Sequence, residues 1–186
     1  MVPVLSLWLP VLLSGVGVFV VSSIIHMVLR YHRNDYGPVC SEDDVRSALR
    51  SAGIPPGDYM MPHVGGTGGM NDPEWIEKAT EGPVAYLTVA PSGVGGMGKN
   101  LAQWFVYTVV VGIFAGYVAG TALPPGAEYL DVFQFVGTVA FAGYSLGVIP
   151  ASIWYHRSWA ATLRTVFDGL VYAVVTAGIF GSLWPS

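Results

Sequence analysis

The chain has 186 residues, of which 53% are hydrophobic and only 11% charged, whereas an ordinary soluble domain carries about 25% charged residues. Too few polar side chains remain to cover a water-soluble globule. A net charge of −4 offers no basic face to neutralise a phosphate backbone, which argues against nucleic acid as a partner.

The first element in chain order is an apolar run from Val4 to Leu29. A membrane helix needs about 20 mainly apolar residues to cross roughly 30 Å of hydrocarbon, so this run is long enough. It lacks a basic leading region and is followed by Arg30 rather than by small residues. It therefore reads as a retained anchor and not as a cleaved signal peptide.

Residues 30–100 form a polar segment between this run and the next. Within it, Ser41 followed by Glu42, Asp43 and Asp44, then Val45, Ala48, Leu49 and Gly53, reads as an N-cap, an acidic first turn and a C-terminal glycine. That pattern predicts one short amphipathic helix. Ile54-Pro55-Pro56-Gly57, the glycine-rich stretch Gly65 to Gly69, and a strand from Val84 to Ala90 follow. One helix and one or two strands make a weak core for a segment of this size. The segment is expected to lie against the membrane face or a partner. The lone cysteine, Cys40, has no internal partner for a disulfide, which is compatible with a reducing side of the membrane.

The segment ends in Gly93-Val94-Gly95-Gly96-Met97-Gly98-Lys99-Asn100, which fits the G-x-x-x-x-G-K part of a phosphate-binding loop. Such a loop surrounds phosphates with backbone N–H groups and a lysine, and places a Ser or Thr hydroxyl on magnesium. Asn100 stands where that hydroxyl is needed, and the next helix is an apolar span. The sequence favours a linker capped by Asn100, with Lys99 at a helix start able to hold a lipid phosphate.

Three more apolar runs complete the chain: Leu101 to Leu123, Val132 to Tyr155, and Val166 to Trp184, the last beginning nearer Trp159. Pro124, Pro125 and Gly126 stop the second run and Ser158 can cap the fourth. Trp8, Tyr129, Trp154, Tyr155, Trp159 and Trp184 sit near run ends, where amphipathic rings prefer the headgroup layer. No internal repeat is evident.

All eight basic residues (Arg30, Arg33, Arg46, Arg50, Lys78, Lys99, Arg157 and Arg164) fall between the first two runs or just before and within the start of the fourth. With four spans those regions share one side, and the positive-inside rule makes it cytoplasmic. The loop from Pro124 to Asp131 carries Glu128 and Asp131 and no basic residue. Both termini are then expected outside. In lipid, helices associate through close approach of small residues more than through apolarity. Gly112, Gly116 and Gly120 mark one face of the second span, Gly143 and Gly147 the third, and Gly169, Ala173, Ala177 and Gly181 the fourth. These ridges are expected to pack within the protomer, with docking of another membrane protein as the alternative.

Two polar features carry possible chemistry. Asp168 is the only acid inside an expected span, and intramembrane carboxylates are functional candidates by default. It lies four residues after Arg164, however, so a local ion pair or a place near a helix N-terminus is the favoured account. His26, His32 and His63, with Cys40 and His156, lie near the inner face, and imidazole with thiolate suits zinc or copper. Their spacing matches no standard site, and on one straight helix His26 and His32 point to different faces. Solvated or interfacial histidines are therefore favoured over a metal site.

The run Tyr31-His32-Arg33-Asn34-Asp35-Tyr36, the later Gly82-Pro83-Val84, and the closing Tyr172-Ala173-Val174-Val175-Thr176-Ala177-Gly178 with Phe180-Gly181 and Leu183-Trp184-Pro185 resemble a group of small uncharacterised bacterial inner-membrane proteins. The resemblance spans most of the chain. It implies a bacterial inner membrane and no particular activity or cofactor.

The sequence thus predicts a mainly α membrane protein: a first transmembrane helix (1–29), a small α+β cytoplasmic insert (30–100), and three further transmembrane helices (101–186) in one bundle. No nucleophile, base and oxyanion arrangement can be assembled. The expected role is an accessory or interaction subunit whose partners are the bilayer and another membrane protein or a second copy. The alternative is a metal- or proton-handling membrane protein using Asp168 and the histidines.

Overall fold

The computed structural model of the chain describes residues 1–65, 68–93 and 95–186. Gly66 and Thr67 of the glycine-rich stretch, and Val94 of the phosphate-loop-like run, lie outside the described residues. In chain order the elements are α1 (Trp8–Met27), α2 (Glu42–Ser51), β1 (Gly57–Met61), α3 (Pro73–Glu81), β2 (Ala85–Val89), α4 (Met97–Ala122), α5 (Tyr129–Ser145), α6 (Ile149–Trp154) and α7 (Trp159–Ser182). They fall into two compact units, one of residues 1–37 with 96–186 and one of residues 38–95.

The first unit is a helical bundle. Four of its segments, Val4–Met27, Met97–Ala122, Tyr129–Trp154 and Trp159–Ser182, are long and apolar enough to cross a membrane. At 1.5 Å per residue each reaches about 36 Å or more, against a hydrocarbon core of about 30 Å. The second and third begin a few residues earlier than their apolar runs, so Lys99 and Asn100 lie inside the first turns of α4 and Asn100 is not its cap. Each span packs beside two others, α1 against α4 and α7, and α5 against α4 and α7. The outward surface is apolar: Phe114 is 62% exposed, Leu163 61% and Phe167 57%. Such a surface is stable only where lipid covers it, which makes the chain a multi-pass membrane protein.

Small residues set how closely the helices approach. A Cβ added at Gly116 would meet the Phe180 ring at 3.1 Å, and one at Gly181 the Tyr129 ring at 2.7 Å. At Gly120 it would collide with the Val2 carbonyl, at Gly112 it would press on Ser14, and at Gly143 on Val111. Ala173 and Ala177 are buried, so these ridges face the bundle interior. Gly147 differs from the expectation, since nothing lies within 4 Å of its position. The third span is broken there: α5 ends at Ser145, a 3-10 turn covers Leu146–Val148, and α6 starts with Pro150 in its first turn. Proline supplies no N–H and so suits the first turn of a restarted helix. The break turns Gly147 away from any neighbour.

The two ends of the bundle differ in chemistry. At the end holding both termini, Leu7, Ala119, Val132, Val136, Ala177 and Phe180 form an apolar core. Val2 N–H donates to the Gly120 carbonyl at 2.7 Å, and Gly126 N–H to the Pro185 carbonyl at 2.7 Å. The opposite end, where residues 38–95 are inserted, is lined by Tyr144, Tyr172 and Ala173 with Trp104 and Tyr31 against them.

The second unit holds one antiparallel pair, β1 with β2, in the register Gly57↔Val89, Tyr59↔Leu87 and Met61↔Ala85. Two short helices accompany it where the sequence pattern predicted one. The additional helix, α3, is capped by Asp72, whose carboxylate accepts from Glu74 N–H at 3.0 Å, with Pro73 in the first turn. Ser41 stands at the start of α2 as expected, but at φ 53° and without a side-chain capping bond. None of the described residues of this unit is fully buried, in keeping with a weak core.

The packing yields a paired prediction. Gly169→Ala would drive a methyl into the Ser145 hydroxyl and within 3.1 Å of the Tyr144 backbone. Overpacking of this kind costs about 1–3 kcal/mol, so thermal unfolding in detergent should shift to lower temperature. Gly147→Ala should leave the midpoint unchanged or slightly raised. Equal melting of the two variants would mean that the close approach of α5 and α7 is not what holds them.

Candidate metal centre at the insert end of the bundle

The site begins where α1 stops. The helix gives way after Met27, Leu29 is extended (φ −82°, ψ 121°), and Arg30–His32 form a 3-10 turn. Arg33 N–H donates to the Arg30 carbonyl and Asp35 N–H to the His32 carbonyl, so the chain folds back over the end of its own helix. The His26 and His32 rings, which a straight helix would separate, stack at 4.8 Å and 11°. The Tyr31 ring lies 4.4 Å from that of His32.

Across from this turn, α7 presents Asp168, only 3% exposed. An unpaired carboxylate at such depth costs about 3 kcal/mol or more even on insertion scales that allow snorkelling. Here both its oxygens are engaged. The Tyr31 hydroxyl donates to Oδ1, and His32 Nε2 lies 2.7 Å from Oδ2. The other His32 nitrogen, Nδ1, is 2.7 Å from Asp35 Oδ2, and Arg164 donates to Asp35 Oδ1. Ionised carboxylates only accept hydrogen bonds, so with both acids ionised His32 carries a proton on each nitrogen. Two cations then face two anions. The local ion pair expected between Arg164 and Asp168 is not formed. Arg164 reaches Asp35 instead, because the fold-back brings that carboxylate to the near side of α7.

The surroundings shift two groups outside the spans. Burial pushes the Asp35 carboxyl up, but hydrogen bonds from His32 and Arg164 outweigh it and hold the group below the usual carboxylate range. Burial, reinforced by the Asp168 carboxylate, pushes the Tyr31 phenol well above its ordinary value. Tyr31 is therefore a neutral donor at physiological pH.

Donor atoms from His26, His32 and Asp168 all lie within 4.8 Å of one another. Each imidazole has its Nδ1 occupied by an acceptor: the Ser22 carbonyl at 3.0 Å from His26, and Asp35 from His32. A carbonyl only accepts, so His26 Nδ1 carries a proton, and in the neutral ring the lone pair is on Nε2. Acceptors behind Nδ1 are the usual means of fixing tautomer and orientation in histidines that ligate metals. The rings are stacked in near-parallel planes, so closing both Nε2 atoms on one ion requires the His32 Nε2 proton to leave and the His26 ring to tilt. Its exposed position at the end of α1 leaves room for that.

His63 and Cys40 are exposed residues of the unit 38–95. His156 lies in the turn between α6 and α7, at φ 53°. Lys99 is exposed in the first turn of α4. The strand before the phosphate-loop-like run belongs to a two-stranded antiparallel sheet, not to the parallel sheet that backs a bound nucleotide.

No family model, no curated protein and no solved structure matches this chain. Tyr31 and Asp35 were not among the candidates that sequence pattern offered. Their one signal is that they bracket His32 in the run Tyr31-His32-Arg33-Asn34-Asp35.

The pairing is testable by a double-mutant cycle. Arg164→Gln and Asp35→Asn should each destabilise the protein at neutral pH, with a coupling of about 1 kcal/mol or more between them. Because the Asp35 carboxyl is held low in the folded state, its contribution is present above the unfolded value of about 3.9 and is lost as pH falls through the folded one. The wild-type advantage over Asp35→Asn should therefore vanish in strong acid. Additive effects at neutral pH would show that Arg164 has another partner.

Proposed function

We propose that this chain is a bacterial inner-membrane protein that binds a divalent transition-metal ion at the inner end of its bundle, through His26, His32 and Asp168. The observation that carries this reading is the convergence of these three side chains, each imidazole held from behind at Nδ1 by an acceptor. Two imidazoles and one carboxylate form a familiar ligand set for zinc and its neighbours, leaving one further position. To hold the ion, His32 Nε2 would release its proton to solvent and exchange its bond with Asp168 for one to the metal. Asp35 stays on Nδ1 as the orienting carboxylate.

Sidedness is supported by the basic residues, which cluster at the insert end, and the bacterial membrane by the resemblance of the closing span and of residues 31–36 to small proteins of that origin. Both termini then lie outside. The apolar packing of the opposite end, around Leu7, Val132, Val136 and Phe180, favours a metal taken up and released from the inner side over one passed through. The accessory role is less favoured, because the small-residue ridges that would dock a partner are used between the protein's own helices.

The test is metal binding by the purified protein in detergent, measured by calorimetry with Zn²⁺ and by the visible spectrum with Co²⁺. One ion per chain is expected. His32→Gln and Asp168→Asn should each weaken binding by about tenfold or more, while His63→Ala and Cys40→Ser should not. Retention of full affinity in both His32→Gln and Asp168→Asn would sink the assignment. Reporter fusions after Ser51 should report the cytoplasm and fusions after Gly126 the opposite side; the reverse would overturn the orientation.

A further inference from the structure

One buried hydroxyl near this centre has no partner. The Tyr172 side chain is only 4% exposed, and its OH is the only buried side-chain polar atom among the described residues without a hydrogen-bond partner. It stands one turn beyond Asp168 on α7, and residues four apart share a helix face. Its ring is held by Trp104 at 5.9 Å and Tyr144 at 5.5 Å, both edge-on, and Trp104 is fixed in turn by donating to Ser22 Oγ at 2.9 Å. The hydroxyl therefore cannot easily swing to another partner. Tyr31 packs against the cluster that holds Tyr172, yet the bonds of Asp168 go to Tyr31 and His32.

Buried hydroxyls in proteins are nearly always hydrogen-bonded, and an exception marks a place where a polar atom belongs. Resting on the metal reading above, we propose that the fourth coordination position lies on the Tyr172 side and takes a small monovalent anion, which Tyr172 binds through its hydroxyl. Charge supports this ligand class. A divalent ion with neutral His26 and His32, the Asp168 and Asp35 carboxylates and Arg164 retains one positive charge, which one anion cancels. A phenol O–H aimed at that anion gives a charge-assisted hydrogen bond, stronger than a bond to a neutral acceptor. The centre is then an open one, of the kind that exchanges a ligand, and not a closed structural site.

The experiment uses the full chain in detergent loaded with Co²⁺ and titrated with azide. In the wild type, azide should change the visible spectrum of the bound cobalt saturably. Tyr172→Phe should bind Co²⁺ within about twofold of wild type but azide about tenfold more weakly. Tyr107→Phe, whose hydroxyl donates instead to the Gly143 carbonyl, should match wild type in both. A cobalt spectrum that azide leaves unchanged in the wild type would overturn the open site while leaving the metal centre standing, and this arm needs no variant. Equal azide affinity in wild type and Tyr172→Phe would overturn the role of Tyr172. Failure of the wild type to bind cobalt at all would overturn the metal reading and this inference with it.

Discussion

The bundle is organised around one buried carboxylate. Asp168 is the only acid in its span, whose one other charged residue, Arg164 a turn earlier, pairs elsewhere, and a buried charge is tolerable only if the protein brings partners to it. The partners come from residues just past the end of α1, which leave the helix and turn back. Tyr31 and His32 reach Asp168, and Asp35 then requires Arg164. Four charged or protonated groups from two distant stretches of chain thereby neutralise one another. This arrangement explains why residues 30–37 pack with the bundle and not with the polar segment they precede.

Helix packing places these groups in register. Gly169, the residue after Asp168, lies where α7 comes closest to the end of α5, with Tyr144 and Ser145 against it. Ser145 Oγ donates to the Val166 carbonyl at 3.3 Å, and Ser152 and Thr162 share a hydrogen bond of 2.6 Å on the other side of the break in the third span. The break is thus joined to α7 by hydroxyls, which satisfy backbone and side-chain groups that lipid would leave unpaired. At the opposite end the same helices meet chiefly through aliphatic side chains, Phe180 and the Tyr129 ring. One sequence therefore builds a dry half that seals and a polar half that holds charge.

Much of this was legible in the sequence. Run length located four spans to within a few residues, and the glycine and alanine spacing identified the faces that pack, Gly147 excepted. The fold-back was not legible, because Val28 and Leu29 continue the apolar run and nothing in a one-dimensional pattern shows that the helix ends before them. The relation between His26 and His32 was lost with it, as was the competition between Asp35 and Asp168 for Arg164. The helix beginning at Pro73 was missed although its signal, an Asp cap followed by Pro and Glu, stands in the sequence. Tyr172 looks like any aromatic at helical spacing until the partners of every neighbouring hydroxyl are known.

The claim on which the functional account depends is that His26, His32 and Asp168 meet on one ion. Zinc K-edge X-ray absorption of the loaded protein in lipid reads that shell directly. The account predicts a first shell of nitrogen and oxygen at about 2.0–2.1 Å, with the outer-shell scattering of two imidazoles, reduced to one imidazole in His26→Ala. A thiolate in the shell, or a shell of oxygen without imidazole scattering, would contradict it.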